Sequence, residues 1–128
     1  MGLIFVATLA SLFMTGTAPA LDFTITGVSV TALYQEPATN TDGSALTDLD
    51  HTSIYYDLGA GPVKAKDVPA TALTGNGNIT TPVDVPVTEG QEKNVIFWVT
   101  ASDQSGNESA KSATVTKRID RLAPGPPR

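Results

Sequence analysis

Between residues 23 and 119 the chain is written in short runs of alternating β-branched and aromatic residues, and no stretch carries a 3.6-residue apolar period. That pattern confines the body to strands. The runs are residues 23–33, 52–58, 63–66, 79–87, 94–102 and 110–119, and Gly27 is placed to break the first of them in two. Between them lie Asn40-Thr-Asp-Gly43, Gly59-Ala-Gly-Pro62, Gly75-Asn-Gly-Asn78, Glu89-Gly90 and Ser105-Gly-Asn107. Each can supply the positive φ or the Asx hydrogen bond of a tight turn. Gly75-Asn-Gly-Asn78 lacks the Lys and the following helix of a phosphate-binding loop, so it reads as a hairpin turn. Seven strands at this spacing predict an all-β sandwich of two antiparallel sheets, and 128 residues suffice for one such domain.

The two ends differ from the body. Residues 1–21 hold no charged side chain, and an apolar run from Leu3 to Met14 precedes Thr-Gly-Thr-Ala-Pro-Ala20. This is the form of a secretory signal with Ala18 and Ala20 at the cleavage positions, which would leave Leu21 first, although no Lys or Arg precedes the apolar run. Uncleaved, a helix of that length reaches about 30 Å, enough to anchor in a membrane or in a groove of a larger assembly. At the other end, Leu122-Ala-Pro-Gly-Pro-Pro-Arg128 cannot join a ladder because its prolines lack donors. The expected organisation is an apolar segment over residues 1–21, a sandwich over 22–119 and a basic, Pro-rich tail over 120–128.

Composition removes whole classes of chemistry. With no cysteine there is no disulfide, thiolate nucleophile or thiolate metal site, and with His51 as the single histidine there is no multi-histidine centre. Eight Lys and Arg against 13 Asp and Glu give a net charge of −5, which disfavours nucleic acid as a partner. The charge is uneven: the first 110 residues hold 12 acids and 3 bases, whereas the last 18 hold five bases and one acid. Asp42, Asp48, Asp50 and His51 form the one acid–base group worth testing, but no nucleophile with a partnered base stands near them. The same three aspartates are hard ligands for calcium, at a spacing unlike that of an EF-hand loop. Turn formation accounts for all of them. No cofactor and no enzymatic activity are expected.

The segments Pro37-Ala-Thr-Asn-Thr-Asp-Gly-Ser-Ala-Leu-Thr-Asp-Leu-Asp50, Ile54-Tyr-Tyr56 and Phe97-Trp-Val-Thr-Ala-Ser-Asp-Gln-Ser-Gly-Asn-Glu-Ser109 resemble a fibronectin type III domain, in the style of tailed-phage virion proteins and bacterial exported proteins. Tyr34, three residues before Pro37, stands where that family has Trp. Val95 replaces a frequent Tyr, and Thr52 replaces a core aromatic. The resemblance spans residues 23–119 and implies a seven-stranded immunoglobulin-like sandwich used as an interaction or spacer module.

Alternation then sorts the residues. Val95, Phe97, Val99 and Ala101 should point between the sheets with Ile54, Tyr56 and Tyr34. Ile96, Trp98 and Thr100 should lie on the outer face beside Tyr55, and there the single Trp makes an apolar patch suited to a partner, or else shields the sheet and stacks on a Lys stem. Lys117, Arg118 and Arg121 supply a basic docking arm. The expected function is a structural accessory protein of a tailed-phage virion, its partners a capsid or tail subunit or copies of itself. The alternative is an exported bacterial surface adhesion or spacer domain cleaved after Ala20.

Overall fold

Seven strands form where the β-branched runs predict them: β1 (Asp22–Thr26), β2 (Ser29–Gln35), β3 (Leu49–Asp57), β4 (Pro62–Pro69), β5 (Asn78–Val83), β6 (Glu92–Asp103) and β7 (Val115–Asp120). The computed structural model describes residues 20–128, so the signal-or-anchor expectation for the apolar segment falls outside the described residues up to residue 19. Gly27, at φ 64°, makes the turn that splits the first run into β1 and β2. All pairings are antiparallel, in a three-stranded sheet of order β1-β2-β5 and a four-stranded sheet of order β4-β3-β6-β7.

The core lies between the sheets and follows the alternation. Phe23, Val30, Ala32, Tyr34, Ile79 and Val83 from one sheet meet Ile54, Tyr56, Val95, Phe97, Val99 and Ile119 from the other. The Phe23 and Phe97 rings stack at 4.4 Å between centroids. Tyr34 and Thr52 share a hydrogen bond of 2.6 Å between their hydroxyls, so a cross-sheet polar pair occupies the place where the resemblance implies two aromatics. Burial raises the Tyr34 pKa, a shift the Thr52 bond partly offsets. Ala101, at the end of the inward row, is only half-buried.

Two expectations are corrected. Gly75-Asn-Gly-Asn78 is no hairpin turn, because β4 and β5 belong to different sheets and the segment crosses between them. Its backbone bonds to the end of β2 instead: the Asn76 and Gly77 N–H groups donate to the Pro37 carbonyl and the Glu36 carboxylate. The last run is also shorter than its composition suggests, since β7 begins only at Val115. Residues 109–112 still line the edge of β6, but serine hydroxyls take the place of carbonyl acceptors. Ser109 N–H donates to Ala101 O and Ser112 N–H to Val99 O, while the Ala101 and Val99 N–H groups donate to the Ser109 and Ser112 hydroxyls. Three residues therefore advance the segment where β6 advances two, which breaks ladder register as a bulge does.

Candidate functional site

The register sets Tyr55 of β3 opposite Trp98 of β6 and Ser53 opposite Thr100, all on the outer face of the four-stranded sheet. The Tyr55 and Trp98 rings stack, 5.8 Å apart and 8° from parallel. The expected outer position of Trp98 is thus observed, but the residue is only 7% exposed. Its cover comes from the connection from β6 to β7, residues 104–114, a strap that runs along the edge of β6 and extends the side chains of Glu108 and Lys111 over the outer face. Lys111 carries its ammonium 4.8 Å from the centre of the Trp98 ring, and Glu108 accepts hydrogen bonds on one carboxylate oxygen from Thr100 (2.6 Å) and Tyr55 (2.9 Å). These two bonds, Thr100 first, hold the Glu108 carboxyl below the usual glutamate range, and the same carboxylate raises the Tyr55 phenol. Of the predicted apolar patch, Ile96 remains open at 39%.

The strap has a built turn at its root. Asp103 accepts bonds from the Ser105 and Asn107 N–H groups and from the Asn107 amide, Asn107 first in lowering its pKa, and Gly106 adopts φ 87°. The run Thr-Ala-Ser-Asp-Gln-Ser-Gly-Asn-Glu-Ser109 therefore encodes a turn, a latch on Thr100 and a serine edge cap. Sequence reasoning marked this run as a turn and missed the latch, while the Lys111 contact is the Lys stacking it held as the alternative to an open patch. The signal available was an acid eight residues beyond a threonine of outward parity.

Farther along the same face, His51 lies 2.7 Å from Asp50 and 3.8 Å from Asp67, Lys64 lies 3.4 Å from Asp67, and Ser53 donates to Asp67 at 2.6 Å. Asp67 is held below its ordinary pKa by the Ser53 bond first and by Lys64 after it. The Ser53 hydroxyl thus bonds a carboxylate and not the imidazole, an arrangement that balances charge without making a nucleophile. The expected grouping of Asp42, Asp48, Asp50 and His51 is only partly assembled. Asp50 meets His51, but the Asp42 carboxylate accepts bonds from Ser44, which lower its pKa and cap its own turn. Among the described residues no three His, Asp or Glu side chains are placed to hold a metal ion.

Each of the three bases of the expected arm has a partner on its own domain. Lys117 pairs with Asp22 of β1 at 3.4 Å, Arg118 with Glu92 at 3.5 Å, and Arg121 donates to the Val87 carbonyl at 2.8 Å. Beyond Arg121 the tail, residues 122–128, is exposed throughout.

A cleft of about 590 Å³ opens where β1 begins, between the loop after β2 and the strap, with Leu21, Tyr34, Leu49, Val99 and Ala110 among its walls and Asp103 and Glu108 at its side. Its size is that of a small-ligand or short-peptide site. No protein-family model, no curated protein and no solved structure matches this chain.

Proposed function

We propose that the chain is a non-enzymatic structural and interaction module of the fibronectin type III kind, serving as an accessory protein of a tailed-phage particle that decorates the shell or sits on the tail. The observation that supports this reading is the pair of packed antiparallel sheets, β1-β2-β5 and β4-β3-β6-β7, a seven-stranded sandwich as the resemblance implies. The strap adds support, because each polar residue of the resembling run from Thr100 to Ser109 that bonds the domain does so to build a turn, a latch or an edge cap. Acids that could otherwise serve chemistry are likewise engaged: Asp42, Asp67, Asp103 and Glu108 each accept hydrogen bonds from the domain's own groups.

A second reading has its own observation. Leu21 packs against the core and β1 opens at Asp22, so cleavage after Ala20 would leave a chain that begins at the domain boundary, as an exported surface module would. Intact-mass measurement of protein from its native source separates the two. A mass that includes residues 1–20, in material purified with particles, is the expected result. A chain starting at Leu21 overturns the virion reading in favour of the exported one.

A further inference from the structure

The antiparallel topology sends the connections to two opposite ends. At one end lie residues 36–48, 70–77 and 104–114 with the cleft; at the other lie residues 27–28, 58–61, 84–91 and the departing tail. The cleft end is mainly acidic, with Lys111 its one Lys or Arg. Residues 36–50, 70–77 and 103–114 together hold six carboxylates against that single base. The tail is its complement: Leu122 is 54% exposed, three prolines follow, and Arg128 adds an exposed positive side chain with no ion pair among the described residues. The chain is held as far as Arg121, whose N–H donates to Gln91 O and whose carbonyl accepts from Gly90, and the Leu122 N–H donates to Asp120. Past that point it projects from the domain.

We propose that this tail docks into the cleft of a second copy of the chain, joining molecules head to tail. Proline stiffening sets the tail near the extended polyproline conformation, where residues 122–128 span about 20 Å, so little conformational freedom is lost on docking. Leu122 and the prolines supply apolar surface to walls formed by Leu21, Val99, Ala101 and Ala110, and Arg128 meets Asp103 and Glu108 at the side of the cleft. Because donor and acceptor lie at opposite ends, the contact is heterologous and propagates into a ring or a filament. The inference rests on the reading of the domain as an interaction module and names its partner.

Two measurements on the full-length chain test it. In sedimentation equilibrium the wild type should self-associate, less strongly at high salt. Leu122→Asp should weaken association about tenfold or more through lost apolar burial, and Arg128→Glu by about two- to fivefold. Neither residue contributes to the folded body, so both variants should keep the wild-type melting temperature. An amidated peptide of residues 119–128, titrated into isotopically labelled full chain, should shift the backbone resonances of Tyr34, Val99 and Ala110. Association that is indifferent to both tail variants overturns the proposal. So do peptide shifts that are absent or gathered at the far end around Val28 and Val85. The state of the amino terminus, measured by mass, is independent of either outcome.

Discussion

Glu36 is 3% exposed and stands one residue beyond β2, and its replacement by Gln gives the sharpest test of how the cleft end is held. One carboxylate oxygen accepts from the Thr71 hydroxyl and the Gly77 N–H (3.0 Å), the other from the Thr71 N–H (2.9 Å), and the Glu36 N–H donates to Gly77 O (2.9 Å). The segment that crosses between the sheets is thereby clamped to the end of β2. Gly77 is part of the fit, since a Cβ there would lie 2.1 Å from the Thr71 hydroxyl oxygen. A glutamine keeps the shape, but its amide nitrogen cannot accept, so at least one donor is left facing another donor and the remaining bonds become neutral. Losing one bond to a buried charged group costs about 1.5–3 kcal/mol, and the surviving neutral bonds are about half as strong as charge-assisted ones. The expected loss is about 2–4 kcal/mol, a large share of the 5–15 kcal/mol typical of a domain, with a fall in Tm of about 10 °C. Thr71→Val removes only the hydroxyl bond to the carboxylate and should cost about 1.5–3 kcal/mol. The double variant should lose less than the sum, because both changes break one shared bond. Chemical denaturation of the four proteins measures all three quantities. Glu36→Gln within about 0.5 kcal/mol of wild type would refute the clamp.

Phe97→Ala removes a fully buried ring and its stack on Phe23, and should lower stability by about 3–5 kcal/mol in the same denaturation assay; a loss under about 1 kcal/mol would contradict the inward register. The latch should also respond to acid. The Glu108 pKa is depressed in the folded state, so its contribution is full above the ordinary value of 4.5 and is lost as pH falls through the lower folded value. The fluorescence of the single Trp98 should report this as an acid transition that Glu108→Gln abolishes; an unchanged transition in that variant would assign the effect to other groups.

The alternation rule located the core because it tests only parity. Phe97, Val99 and Ala101 had to share a face, and the observed register with Tyr56, Ile54 and Thr52 is one that parity permits. The same parity runs Val30, Ala32, Tyr34, Glu36, so the inward aim of the clamp was written in the sequence as an acid in an apolar row. What parity cannot supply is the destination of a connection. Glycine and asparagine satisfy a hairpin and a sheet-to-sheet crossing equally well, and only the bonds from Asn76 and Gly77 to the end of β2 separate the two at residues 75–78. The strap was opaque for a related reason. Ser109 and Ser112 close the edge of β6 with side-chain oxygens, a pairing that has no period, so residues 110–114 read as strand by composition alone. Trp98 was accordingly placed on the correct face, and of the two alternatives for it, an open patch or stacking on a Lys stem, Lys111 supplies the second.

With that face covered, the remaining routes to association can be ranked by what blocks them. An exposed strand edge invites pairing with another chain, and both edges of this sandwich carry a lysine tie between the sheets. Lys66 of β4 reaches Thr81 and the Pro82 carbonyl of β5, and Lys117 of β7 reaches Asp22 of β1. Pro62 and Pro69 bound the β4 edge, and Pro82 lies within β5, each removing a donor that an added strand would need. Sideways growth by strand addition is therefore opposed on both flanks. The exposed large apolar side chains outside the sheet faces, Val28, Leu73 and Leu122, lie near the two ends. Opposition to pairing on both flanks would leave the two ends, where the tail departs and the cleft opens, as the route that the proposed tail-to-cleft contact requires.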